Sequence, residues 1–345
     1  DYGVSNVKVI ATTAIREANN RDLFIDTVRR KTGFEVEVLN VGDVLYYIDT
    51  YLSCQLKDTF PFHQENLLIA ELGNGSLDIS TMEKGMSSFS IGIPIGTLRM
   101  KQLLTRLEGS SEEKFEAISE YIENEFSSLR TRLHGFPIED IILIDENFSP
   151  YLEEIVSTGR SRENFNRLTQ KEVRRIIKKI AAREAEEISE EFSIPHDLAE
   201  TVTAYSVILD NFCSLLRKKH IHVLEIALSE AVLASMLHKV NVSGKFDRTS
   251  QLVHEAKFFC RKFDLDEAHA ENVATNAESL FRCLKDYFGM RPRDRMYLLV
   301  AAYLHDIGMF IHNRAHHKHG EYIVRFLNLI RLSEEEKKII ACVCR

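Results

Sequence analysis

No uninterrupted apolar run in this chain is long enough to cross a bilayer. The most apolar helix candidate, VLEIALSEAVLASML, is broken by two glutamates. The opening residues, DYGVSNVKVI, lack a basic region followed by an apolar stretch, which excludes a secretory signal within them. Cysteine is sparse, with six residues at 54, 213, 260, 283, 342 and 344, and none forms a CxxC pair. A chain of 345 residues with 44% hydrophobic residues needs no disulfide staples, so a reduced, cytosolic protein is expected. Basic charge is in deficit: the net charge of −8 argues against bulk binding of nucleic acid, and no membrane partner is expected. Internal repeats and low-complexity tracts are absent as well.

The composition that remains is that of a globular protein, with 28% charged residues and a length that suggests two or three domains. The chain opens almost directly on a strand-like run, VKVIAT, and closes inside a helical pattern, EEEKKIIACVCR, which reads as a fragment. REANNRDLFIDTVRRKTG has helical spacing ending at Gly33, FEVEVLN alternates apolar and polar residues, and VLYYIDTYL is helical again. NLLIAELGNGSLDIS reads as strand, glycine-bearing turn and strand, with β character continuing through MSSFSIGIPIG. DIILID is a further strand, and Ser110 with Glu113 and Thr169 with Glu172 are capping boxes that start helices. Alternating strands and helices imply α/β layers. From about residue 241 strand signals cease; NVSGKFDRTS reads as a polar linker and the rest as helices. The expected division is 1–65, 66–240 and 241–345.

Histidine is concentrated in AAYLHDIGMFIHNRAHHKHGEYI, which holds five of the chain's 13. His305 and Asp306 end an apolar helix stopped by Gly308, where an imidazole nitrogen and a carboxylate oxygen can turn toward one ion. His269 opens another helix and is a third candidate ligand. His317 and His319 would close the site from the following loop, while His312 and His316 read as ordinary polar residues. The pattern resembles the HD superfamily of metal-dependent phosphohydrolases, which implies a Mn, Fe or Mg ion activating water. The family's distal aspartate has no counterpart, because no aspartate follows Asp306.

Together with this segment, ATTAIREANN, TGFEVEVL, LGNGSLDIS and SIGIPIGTLRM resemble, in order and spacing, the exopolyphosphatase/guanosine pentaphosphate phosphatase (Ppx/GppA) family. The resemblance implies α/β actin-like (ribonuclease H-like) lobes followed by an all-α HD-type domain. It also implies a phosphate cleft using Mg²⁺, polyphosphate or a guanosine nucleotide as partner, and a homodimer. The front of the first lobe, with its first phosphate loop, has no counterpart here. Arg16 matches the family's arginine near the phosphates. Asp43 falls where the family carries its water-activating glutamate, one methylene shorter, and shortening strains reach in general-base work. Glu71 takes the place of an aspartate ahead of the second phosphate loop, whose Gly73, Asn74, Gly75 and Ser76 can cradle an anion. Asn74 tolerates a left-handed conformation better than most residues. The third loop expected after IILI lacks glycine, reading Asp145-Glu146-Asn147-Phe148-Ser149, and its carboxylates would repel a phosphate.

Three basic clusters, Arg29-Arg30-Lys31, Arg174-Arg175 with Lys178-Lys179, and Arg217-Lys218-Lys219, read either as solvated helix faces or as a track for polyphosphate. Three functions remain open at this point. One is removal of terminal phosphate from polyphosphate or guanosine pentaphosphate, with activity weakened or lost. Another is a sensor or scaffold built on a degraded cleft. The last is a phosphohydrolase working through the HD domain.

Overall fold

The computed structural model describes residues 7–55, 66–152, 166–180, 183–215, 220–237, 248–327, 329 and 332–345. It begins with a two-stranded parallel sheet, β1 (Val9–Ala11) against β2 (Val36–Val38). A short helix, α1 (Thr13–Arg16), and a longer one, α2 (Arg21–Thr32), lie between the strands. Gly33 ends α2 in the left-handed region at φ 77, the backbone conformation that a missing Cβ permits. Helix α3 (Val41–Gln55) follows β2.

The central body is a six-stranded sheet in the order β5-β4-β3-β6-β8-β7. β3 (Asn66–Leu72), β4 (Leu77–Glu83) and β5 (Met86–Ile93) form an antiparallel meander, as LGNGSLDIS predicts. β6 (Asp140–Ile144) and β8 (His220–Leu224) run parallel to β3, and β7 (Asn166–Thr169) closes the far edge antiparallel to β8. Both faces of this sheet are covered, which is why β3 and β6 read as near-continuous apolar runs rather than alternating ones.

One face carries α4 (Thr97–Leu104), α5 (Ser111–Arg132), α6 (Gln170–Ile180), α7 (Ala185–Phe192) and α8 (His196–Leu215). Phe126 of α5 and Phe212 of α8, both fully buried, meet edge to face with ring centroids 5.2 Å apart. The other face is covered by α3 and α9 (Leu228–Met236), where Ile48 and Leu52 pack with Leu67, Ile69, Ile142 and Ala231. α3 therefore falls in the 1–65 stretch by sequence and packs on the large sheet. Ser110 starts α5 through a complete capping box with Glu113, and Thr169 and Glu172 exchange the equivalent bonds at the start of α6.

The last part is helical throughout among the described residues: α10 (Arg248–Lys262), α11 (Glu267–Leu284), α12 (Pro292–Leu304), α13 (His316–Phe326) and α14 (Glu334–Cys344), with its own core around Val300, Leu304 and Ile340. Most of the expected polar linker lies outside the described residues. α10 docks this domain onto β5. Buried Gln251 accepts from the Ser87 N–H at 2.8 Å and donates to the Gly85 carbonyl at 3.0 Å, and the Lys262 ammonium lies 5.2 Å from the Phe89 ring centroid. No described helix is long and apolar enough to cross a membrane.

Candidate functional site

The C-terminal ends of parallel strands are where open α/β sheets place ligands. Here the ends of β3 and β6 bring acidic side chains together. Glu71, next to last in β3, stands opposite Asp78 in β4 and beside Ile144 in β6, so that Asp145 and Glu146 follow at the same edge. Burial, and then the charges of Asp78, Glu146 and Asp145, push the Glu71 carboxyl up to about 8, against the pull of Arg16. Asp78 is also raised, chiefly by burial, with Arg16 and the Ser76 hydroxyl opposing. Its Oδ2 lies 3.9 Å from the Arg16 guanidinium, while its buried Oδ1 has no hydrogen-bond partner among the described residues. One arginine among four carboxylates leaves an excess of negative charge in a poorly solvated place. Hard cations such as Mg²⁺ take oxygen ligands of this kind, and Glu71 with Asp78 fit the role.

Arg16 is fixed from two sides, donating to the Leu39 carbonyl at 3.0 Å and to Thr13 Oγ1 at 2.9 Å. The Thr13 hydroxyl in turn pairs with Ser76 Oγ at 2.9 Å, which ties α1 to the glycine turn between β3 and β4. The contact is close enough to explain Gly75: a Cβ there would lie 2.6 Å from Thr13 Cγ2. Gly96 is required for the same reason on the other side, since its Cβ would lie 2.4 Å from the Asn74 carbonyl. The left-handed backbone expected at Asn74 is not found; positive φ occurs at neither Gly73, Asn74 nor Gly75 among the described residues. Glycine is needed here for close approach rather than for turn geometry. The carbonyls of the turn are occupied as well, Gly73 O by Thr97 N–H, Asn74 O by Leu98 N–H and Gly75 O by Arg99 Nε. Arg99 also bonds Glu17 at 2.5 Å and so clamps the turn to the segment after α1.

Asp43 is built into a helix start. Its Oδ2 accepts from the Asn40 N–H at 3.0 Å, and Asn40 Oδ1 accepts from the Asp43 N–H at 2.9 Å. Burial pushes the carboxyl up to about 6, with the Asn40 N–H working in the opposite direction. Asp43 and Arg16 nevertheless line one cleft of about 650 Å³, whose other wall comes from Arg248, Ser333 and Glu336 of the helical domain. Asp145 does not project toward an incoming phosphate. It is turned inward, 1% exposed, and accepts from the N–H groups of Asn147 at 2.9 Å and Phe148 at 3.2 Å. Burial, opposed by those same N–H groups, pushes it up to about 6. The third loop thus fills its own backbone donors with its own carboxylate.

In the helical domain, His269, His305 and Asp306 converge. His269 Nε2 is 3.3 Å from His305 Nε2 and 3.7 Å from Asp306 Oδ2, and His305 Nε2 is 3.2 Å from the same oxygen. Ligands about 2.1 Å from one ion lie about 3.0–3.4 Å apart; the His269–His305 and His305–Asp306 separations fall in that range, and the 3.7 Å from His269 to Asp306 must close slightly for all three to hold one ion. His305 Nδ1 pairs with the Ala302 carbonyl at 2.8 Å, which orients the ring and leaves Nε2 for a ligand. His317 and His319 stand on the first turns of α13 rather than in a loop. The imidazole of that helix turned toward Asp306 is His316, 3.7 Å from Oδ1, because helix geometry and not sequence adjacency decides which ring faces inward.

Sequence reasoning missed Thr13, Asp78, Arg99 and His316. Asp78 was within reach: a four-residue turn from Gly73 to Ser76 sets Leu72 opposite Leu77, and hence Glu71 opposite Asp78.

The chain thus combines mixed α/β lobes, an acidic cleft that carries an arginine, and a helical domain behind them. Residues 1–240 match the Ppx/GppA phosphatase family and residues 254–345 match its domain III; the chain belongs to that family. Guanosine-5'-triphosphate,3'-diphosphate pyrophosphatases of Pseudoalteromonas atlantica and Photobacterium profundum are similar at 22% and 20% identity, over 96% and 100% of this chain. The chain spans 63% and 66% of the length of those relatives. Among solved structures, the Aquifex aeolicus Ppx/GppA family member is similar with TM-score 0.57 and 22% identity, over 70% of this chain and 77% of that one. An exopolyphosphatase from Cytophaga hutchinsonii matches with TM-score 0.57 and 19% identity, over 70% and 78%.

Proposed function

We propose that the chain is a cation-dependent phosphohydrolase that removes the terminal phosphate from inorganic polyphosphate or guanosine pentaphosphate, with turnover slowed by its altered loops. The observation that carries this reading is the facing pair Glu71 and Asp78 beside Arg16, the residue that also lines the cleft with Asp43. Glu71 and Asp78 would hold a Mg²⁺ ion, whose chemistry is to neutralise charge on the phosphate oxygens. Arg16 adds fixed positive charge beside the Thr13–Ser76 pair. Asp43, with its carboxyl pushed up to about 6, is ionised at neutral pH yet still basic enough to accept a proton. As the water oxygen bonds to the terminal phosphorus, its proton passes to Asp43. The bridging P–O bond breaks, with its electron pair departing on the shortened chain. The Asn40 cap and the short side chain limit how far Asp43 can reach, and the third loop spends its Asn147 and Phe148 N–H groups on Asp145 where phosphate donors would help. Both features support slow turnover.

Phosphate release from polyphosphate and from guanosine pentaphosphate in Mg²⁺, with Asp43→Asn alongside, tests this reading. A loss of about 10²-fold or more in Asp43→Asn is expected. Release that survives Asp43→Asn and disappears in Asp306→Asn would move the chemistry to the helical domain. Binding of both ligands without release would make the chain a sensor.

The triangle formed by His269, His305 and Asp306 favours a second reading, in which domain III holds a Mn, Fe or Mg ion of its own. Two imidazoles and one carboxylate suit Mn²⁺ or Fe²⁺ better than Mg²⁺. Metal analysis of protein equilibrated with Mn²⁺ should find one ion fewer in His269→Ala than in the wild type; equal content refutes this site.

A further inference from the structure

We infer that the exposed face of α6 is an anchoring groove for a phosphate chain, separate from the cleft where the terminal phosphate is handled. The groove, about 560 Å³, is lined by Lys171, Arg174, Arg175 and Lys178 together with Thr169 and His220. The four cations are spaced i, i+3, i+4 and i+7, which puts them on one side of the helix over a rise of about 10 Å. The opposite side of α6 is buried through Val173, Ile176 and Ile180, so the cationic side cannot rotate away.

All four cations are exposed, and none enters an ion pair among the described residues. That distinguishes them from Arg29 and Arg30, which both bond Asp26, at 2.9 and 2.8 Å. The third basic cluster, Arg217-Lys218-Lys219, lies outside the described residues. In a chain with net charge −8, four cations along one groove, without an ion pair among the described residues, make a local field that selects anions. Among the described residues no carboxylate and no apolar side chain lines the groove. Among the described residues no Phe, Tyr or Trp lines the groove, and His220 is its single ring, which disfavours the run of stacking platforms that single-stranded nucleic acid uses. A ligand with closely repeated charge and no bases fits best, namely inorganic polyphosphate.

The groove and the cleft sit at opposite strand ends of the sheet. Glu71 is next to last in β3, an interior strand, whereas His220 begins β8 and pairs with Thr169 at the start of α6, on the edge strand side. Two strand spacings from β3 to β8, a third to β7, and four residues of strand rise separate them by about 20 Å. A nucleotide held in the cleft cannot reach α6, and a long polyphosphate can. The inference rests on phosphate chains being ligands of this protein, and its test reads binding rather than release, so failure of the hydrolytic reading leaves it testable.

Binding of fluorescently labelled long-chain polyphosphate to the whole protein, followed by anisotropy across a salt series, supplies the test. Four neutralised contacts predict a slope of log affinity on log salt of about −3, and the Lys171→Gln, Arg174→Gln, Arg175→Gln, Lys178→Gln combination should abolish most of it. Affinity at low salt should fall at least about tenfold in that variant. Tripolyphosphate binding should be unchanged in it, as should long-chain binding by Arg29→Gln with Arg30→Gln. Unaltered long-chain affinity and slope in the α6 variant would overturn the inference. Equal affinity for single-stranded DNA of matched charge would overturn polyphosphate as the ligand.

Discussion

Glu71→Gln removes one negative charge from the cleft while keeping the side chain's size, and its effect on stability follows from the surroundings of the carboxyl. In the folded protein that carboxyl is pushed from 4.5 up to about 8, first by burial and then by Asp78, Glu146 and Asp145. A raised carboxyl contributes its full stability below the unfolded value and loses it as pH rises through the folded one. The wild type should therefore lose stability relative to Glu71→Gln between about pH 4.5 and pH 8, because the glutamine imitates the protonated acid throughout. For a fully buried group the difference would be about 5 kcal/mol. Glu71 is only half-buried, and solvent screening reduces this to about 2–3 kcal/mol. Urea unfolding of both proteins in chelator, at pH 4.5, 6, 7 and 8.5, reads the quantity directly. Mg²⁺ added at pH 8.5 should restore stability to the wild type and not to Glu71→Gln. A difference between the two that stays flat across the pH series would refute the proposed crowding of carboxylates.

Two further outcomes follow from packing. In Gly75→Ala the new methyl group would lie 2.6 Å from Thr13 Cγ2, so α1 and the glycine turn must separate; a loss of about 1–3 kcal/mol by urea unfolding is expected, along with weaker phosphate binding. An unchanged midpoint would mean that the turn does not meet α1. Gln251→Ala strands the Ser87 N–H and the Gly85 carbonyl at the seam between the helical domain and β5, costing about 1–3 kcal/mol for each group left dry. Hydrogen exchange should then quicken at Ser87, and protection equal to the wild type would contradict the clamp.

The elements legible in the sequence were those with strong local signals. An apolar run and a glycine turn mark β3 and β4, capping residues mark Ser110 and Thr169 as helix starts, and the apolar run before His305 marks α12. The convergence of His269 with His305 and Asp306 was legible too, because helix ends at short loop distances restrict where a side chain can point. What escaped was set by three-dimensional register. Asp78 matters because it faces Glu71 across a hairpin, and His316 rather than His317 faces Asp306 because of helical phase. Asp145 looked like a repelling charge in the sequence, and its inward turn onto the N–H groups of Asn147 and Phe148 depends on local backbone geometry. The glycines of the second loop read in the sequence as turn formers, whereas Gly75 and Gly96 are required by the approach of neighbouring chain, which no local signal records.

The central claim is that Glu71 and Asp78 form a cation site beside Arg16. Calorimetric titration of Mg²⁺ into Asp306→Asn protein, which removes the proposed helical-domain site, tests it most directly. One ion should bind at pH 8, and binding should be lost when Glu71→Gln is added. A second variant, Asp78→Asn, should weaken it likewise. Retained binding in both variants would contradict the account.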